Sequence, residues 1–133
     1  MALLAAGGLC AAPECATCHR EIAASYAQTG MGRSLTRVTA ASLPQPTADY
    51  WHDRSDTHHA VVRRGDEWIY RRWQIGFGGG TTNVEELRID YVLGSGNHAR
   101  SYLHRTARGT LIELPFGWYA EGGGNWGMSP GSD

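Results

Sequence analysis

The period of the hydrophobic residues changes once along this chain. Between Thr17 and about Gln28, His19, Ile22, Ala23, Tyr26 and Ala27 recur at the spacing of one helix face, and Thr29-Gly30 supplies a stop. This predicts one short helix. Residues 34–48 mix Ser, Thr and Ala with Pro44 and Pro46 and read as an irregular connector. Beyond it, aromatic and β-branched residues predict strands at Tyr50–Arg54, His58–Arg64 and Glu67–Ile75, with Gly65-Asp66 as the turn between the second and third. The glycines between Gly76 and Gly80 interrupt the pattern. Leu87–Leu93, Ser101–Thr106 and Thr110–Leu114 resume it, the last two joined across Arg108-Gly109, and the Gly-rich stretch from Glu121 onward reads as loop. The implied fold class is α+β: a short N-terminal helix packed with a small antiparallel β-sheet, rich in loops, without repeats or a coiled coil.

The first dozen residues, Met1 to Ala12, are small and apolar and end before Pro13. They resemble the hydrophobic part of an export signal with cleavage after Ala12, although the usual basic n-region is missing. Leu9 stands where a lipoprotein signal carries a small residue, which disfavours lipidation of Cys10, and the stretch is too short to span a bilayer as a helix. The expected organisation is therefore a signal remnant over 1–12 and one domain over 13–133. With 133 residues the chain can bury only a modest core. Its net charge is −1, all 12 basic residues are arginine, and no basic run suggests nucleic acid as a partner. Eighteen glycines, five tryptophans and six tyrosines suit the wall of a pocket around a bulky apolar group.

Cys15-Ala16-Thr17-Cys18-His19 names a candidate for that group. Two thiols at this spacing can each form a thioether to a porphyrin vinyl, and the adjacent imidazole can then reach the iron, so the motif implies one covalent c-type haem with His19 as proximal ligand. Other chemistries fit less well. A zinc site needs two further ligands, and no second close Cys pair follows. A thioredoxin-like pair belongs after a strand, and nothing strand-like precedes Cys15. A disulfide between these cysteines closes too small a loop to stabilise much. Export agrees with the haem reading, since c-type haem is attached outside the bacterial cytoplasm.

The sixth position on the iron decides between electron transfer and small-molecule binding. The candidates are Met31, Met128, His52, His58, His59, His98 and His104. Met31 follows His19 by twelve residues, about 18 Å along an unbroken helix, but the glycines on either side of it permit a reversal. His98 ends the loop Gly94-Ser95-Gly96-Asn97-His98, whose glycines allow close backbone approach, and is the alternative distal ligand. His58 and His59 would point to opposite faces of a strand. Arg100 and Arg105 are candidates for pairing with haem propionates, or else solvated strand residues.

His19, Ile22, Tyr26, Thr29 and Met31 resemble the segment of multihaem c-type cytochromes in which CxxCH is followed by an aromatic, a small hydroxyl residue and a histidine; here methionine takes the histidine's place. The blocks Tyr91–His104, Leu114–Tyr119 and Trp126–Gly131 are similar to the N-terminal domain of such bacterial cytochromes, some of which continue into tetratricopeptide repeats. The resemblance implies a haem-bearing helix, and an exported, periplasmic or cell-surface protein whose partners are other haem proteins or subunits, in one setting within a membrane-associated complex. The chain departs from the family in holding one CxxCH and stopping at Asp133. A lone haem forms no intramolecular wire, so the expectation is a truncated or split form, or exchange with haems on a partner through the Gly-rich tail carrying Trp126 and Met128. The leading function is a non-catalytic electron relay. The alternatives are a five-coordinate haem that binds a diatomic gas or reduces peroxide, and a β-rich binding module with an incidental Cys pair.

Overall fold

Alternating aromatic and aliphatic positions build most of the folded mass. In a computed structural model, residues 13–39 and 49–132 are described, with the backbone alone for residues 13–15. The expected signal remnant, Cys10, Pro44 and Pro46 lie outside the described residues, as do the side chain of Cys15 and the terminal Asp133. Two short helices, α1 (Pro13–Cys18) and α2 (Arg20–Ala27), precede a 3-10 turn at Met31–Arg33. The strands among the described residues are β1 (Leu35–Arg37), β2 (Tyr50–His52), β3 (Thr57–Arg64), β4 (Glu67–Ile75), β5 (Thr81–Arg88), β6 (Tyr91–Leu93), β7 (Ala99–Arg105), β8 (Leu111–Glu113), β9 (Phe116–Tyr119) and β10 (Asn125–Met128).

They form two antiparallel sheets rather than the single small sheet expected. One has the order β2-β3-β4-β5; the other runs β1-β6-β7-β9-β10, with β8 also paired to β7. The strand expected over Leu87–Leu93 is in fact the crossing between them. The Ile89 N–H bonds the Trp68 carbonyl in the first sheet at 2.8 Å, and the Asp90 N–H bonds the Leu103 carbonyl in the second, also at 2.8 Å. The Asp90 carboxylate accepts from Arg88 at 2.8 Å and from the Arg105 N–H at 2.7 Å, which fixes the crossing. The alternation of Leu87, Ile89 and Tyr91 with Arg88 and Asp90 continues across the crossing, so the pattern does not mark the change of partner.

The other departures have similar causes. β1 lies inside the expected connector, held in extended form by pairing Leu35, Thr36 and Arg37 with Leu93, Val92 and Tyr91. β10 lies inside the expected tail loop, paired with β9 from Asn125↔Tyr119 to Met128↔Phe116. Three or four consecutive residues are too few for a period to show in sequence. The two expected hairpins do form: Gly65 takes φ 60° between β3 and β4, and Gly109 takes φ 87° between β7 and β8.

Inward-facing residues of both sheets make one core of Val61, Trp68, Tyr70, Ile89, Val92, Tyr102, Leu114 and Phe116. Rings join the sheets across it. Phe116 on β9 stacks on Trp126 of β10 at 5.4 Å and on His59 of β3 at 5.6 Å, and Tyr50 of β2 leans on it at 5.1 Å. Trp126 and Met128 thus pack against the core rather than standing free as a docking tail. His59 is buried while His58 is part-exposed, in keeping with opposite strand faces.

Candidate functional site

The single helix expected from Thr17 to Gln28 is two, and the break falls on His19. Its φ of −126° and ψ of 51° leave both helices, while its carbonyl accepts the Ala23 N–H at 2.9 Å and starts α2. The Cys18 side chain, at the end of α1, is exposed. His19 is also exposed. The thiol and the imidazole are therefore reachable side by side on a backbone corner.

Beyond His19 the chain shows an apolar surface that no other described residue covers. No residue of α2 is buried, and Ile22 is 68% and Met31 71% exposed, with Tyr26 between them half-exposed. Ile22, Tyr26 and Thr29, one turn apart, line a shallow groove with Glu21 and Ser25. An isolated eight-residue helix is marginal in water, and its stability ordinarily comes from a buried apolar face. Here that face is open.

Thr29 organises the reversal after α2. Its hydroxyl donates to the Tyr26 carbonyl at 2.7 Å and accepts the Gly32 N–H at 3.0 Å, closing the helix and opening the turn that carries Met31. The Ser34 hydroxyl donates to the Met31 carbonyl at 2.7 Å. Sequence reasoning saw Thr29 as part of a stop signal and missed this role; a hydroxyl residue just beyond the helix and three before Gly32 was the available signal.

The turn docks on the second candidate loop. The Gly94 N–H donates to the Ser34 carbonyl at 2.6 Å, and a β-carbon on Gly30 would sit 3.6 Å from that of Ser95 and 4.0 Å from the Asn97 amide. The segment bearing Met31 and the loop ending in His98 are thus neighbours. Gly94 and Gly96 take φ of 107° and 85°, conformations that suit glycine, and the His98 carbonyl is anchored by the Ala120 N–H at 2.8 Å. The His98 and Met31 side chains are exposed, without a polar or ring partner among the described residues.

The remaining candidates for the sixth position have other employment. His52 bonds the Ser55 hydroxyl at 2.9 Å, His58 bonds Asp49 at 2.7 Å and stacks on Trp73, and His104 bonds the Arg88 carbonyl at 2.9 Å. Met128 packs against the core. His59 is buried with its Nδ1 on the Tyr70 hydroxyl at 2.8 Å, and burial, followed by the fields of His52, Arg72 and His58, holds its pKa at about 4. The two arginines separate. Arg100 lies against Gly96 with its guanidinium 5.5 Å from the Trp118 ring centre, whereas Arg105 ends β7, about 16–17 Å further along an extended strand. Only Arg100 remains beside the candidate loop.

The side chains around His19 fit a covalent haem. A soft thiol and an imidazole are reachable at one corner, and an open apolar face adjoins them that a flat macrocycle would cover. Among the described residues no cluster of three or more His, Cys, Asp or Glu is arranged to hold a metal ion by protein donors alone. No protein-family model matches this chain, and no curated protein and no solved structure matches it.

Proposed function

We propose that this chain is a c-type cytochrome domain that relays single electrons, with one haem c attached through Cys15 and Cys18 and His19 as its proximal ligand. Met31 is the distal ligand and His98 the alternative. The observation that carries the reading is the juxtaposition of the CxxCH corner with the open face of Ile22 and Tyr26 on α2, with exposed Met31 on the turn that follows. The haem, when bound, supplies a reversible one-electron iron couple. The protein residues anchor it, present the imidazole, and shield one of its faces from water. Arg100 offers a positive charge beside the distal loop. The resemblance to the N-terminal domain of multihaem cytochromes supports an exported protein whose donor and acceptor are haems on other proteins or subunits, the haem-bearing helix being α2 with the preceding corner.

The test is an absorption spectrum of the chain expressed with haem-maturation machinery. A Soret band that resists acid–acetone extraction is expected, with a low-spin pattern. No Soret band sinks the haem reading in both its forms; a high-spin ferric spectrum that responds to carbon monoxide after reduction replaces electron relay with ligand binding at an open iron. Replacing both Cys15 and Cys18 with Ala is expected to render any haem extractable.

A further inference from the structure

Outside the haem corner, the chemically most loaded group is a buried pair between the sheets. The Tyr70 hydroxyl and Nδ1 of His59 are 2.8 Å apart, with 1% and 2% of these residues exposed. Nε2 of His59 has no hydrogen-bond partner among the described residues. If Nδ1 were the donor, both the Tyr70 proton and the Nε2 lone pair would be left without a partner; with the hydroxyl donating, only one N–H is unmatched. The second arrangement is favoured. Tyr70 therefore points its proton at a base.

A series of rings leads from this pair toward the surface. His59 stacks on Phe116 at 5.6 Å and Phe116 on Trp126 at 5.4 Å, with interplanar angles of 21° and 13°. Trp126 is only part-buried. Tyr102 also stacks on Trp126, at 5.5 Å, but its hydroxyl is buried without a hydrogen-bond partner among the described residues. Two buried tyrosines thus share one tryptophan and differ in whether a proton acceptor is at hand.

We propose that Tyr70 and His59 are a redox-active pair, in which an oxidising equivalent entering at Trp126 passes along the stacked rings and comes to rest on Tyr70 as a neutral phenoxyl radical. The oxidant is any one-electron acceptor able to oxidise tryptophan at the protein surface. The electron leaves Tyr70 for the oxidised Trp126, the Tyr70 O–H bond breaks, and the proton crosses the hydrogen bond to form N–H at Nδ1 of His59. Re-reduction returns one electron and that proton to the phenol. Burial pushes the Tyr70 hydroxyl well above its ordinary pKa, so the phenol is intact before oxidation and electron and proton leave together. The imidazolium formed sits near Arg72, His52 and His58, which drives the proton back once the electron returns. At Tyr102 the same oxidation would strand a charge in an apolar interior. The pair gives the core a place to hold one oxidising equivalent, and it stands independently of the haem reading.

The experiment uses the full chain with photo-oxidised ruthenium tris(bipyridine) as the oxidant, freeze-quenching and electron paramagnetic resonance. The expected result is a narrow tyrosyl signal, separate from any ferric resonance, that outlives free tyrosyl radicals in solution. It is lost in Tyr70→Phe and kept in Tyr102→Phe and in Tyr26→Phe, which removes an exposed tyrosine. Persistence in Tyr70→Phe, or loss in either of the other two, overturns the proposal. Should Tyr70→Phe unfold, His59→Gln keeps an acceptor without a base, and Trp126→Phe keeps a ring at the surface end. Both are expected to lose the signal, and its survival in both is equally fatal.

Discussion

The α-carbon of Gly32 lies so close to the carbonyl of Tyr26 that a β-carbon there would overlap the oxygen, and would also come within 3.1 Å of the Ala27 α-carbon. Gly32 is the one buried residue of the turn that carries Met31. The contact explains why the chain can double back so tightly after α2.

Gly32→Ala is therefore expected to push the turn off the helix while sparing the sheets. Overpacking of this kind costs about 1–3 kcal/mol. The cost falls on the segment from Thr29 to Ser34, so amide hydrogen exchange accelerates there and stays slow in β3 and β4. Equal acceleration in the strands would mean that the arm and the core unfold as one unit. Thr29→Ala, which removes both bonds of the hydroxyl, is expected to act in the same place and direction.

The chain's two phenylalanines make a matched comparison. Phe116 is fully buried among Tyr50, His59 and Trp126, whereas Phe77 projects into solvent from the β4–β5 hairpin. Phe116→Ala is expected to cost about 3–5 kcal/mol, and Phe77→Ala less than about 0.5 kcal/mol, by urea unfolding. Similar losses at both sites would show that the hairpin tip is covered in solution.

His59 makes stability depend on pH with a definite sign. Its folded pKa of about 4 lies below the ordinary 6.5, mainly because burial disfavours the imidazolium, with His52, Arg72 and His58 adding to the effect. The unfolded chain takes up the proton first as pH falls. Stability is therefore complete above about pH 6.5, declines toward pH 4, and loses no more to this group below that. The full loss is at most about 3.4 kcal/mol. His59→Gln should flatten this part of the profile relative to the native chain, leaving only the acid limb due to carboxylates such as Glu86, which Arg64 holds below its ordinary range. A variant with the native slope between pH 6.5 and 4 would falsify the assignment to His59.

Much of this architecture is legible where side chains repeat over many residues. β3 and β4 run close to their expected bounds because Ala60 to Val62 and Trp68 to Tyr70 fill a long pattern between unambiguous turns. β1 and β10 are three and four residues long and exist through their partners, so nothing local announces them. The split at Ile89-Asp90 depends on which carbonyl each N–H finds, a nonlocal choice. At the candidate site, the chemistry of Cys18 and His19 can be read from the motif, whereas the corner between α1 and α2 cannot. The adjacency of Gly30 and Ser95 is likewise a tertiary fact, joining segments some sixty residues apart.

On the proposed haem reading Met31 and His98 are alternatives for one role, and their substitution separates them. With haem attached, Met31→Ala is expected to abolish the long-wavelength thioether-to-iron absorption band and His98→Ala to leave it. A band that survives Met31→Ala excludes Met31, and a low-spin spectrum lost only in His98→Ala transfers the role to His98. Stability supplies a second readout. Met31 is 71% exposed in the protein alone, so its replacement should scarcely affect the haem-free chain. Covering the side chain with an apolar macrocycle is worth about 1.5–3 kcal/mol, apart from any bond to iron. Met31→Ala should therefore lower the melting temperature of the haem-loaded protein and leave that of the haem-free protein nearly unchanged. Equal shifts in both forms would mean that Met31 supports the turn and does not face the haem.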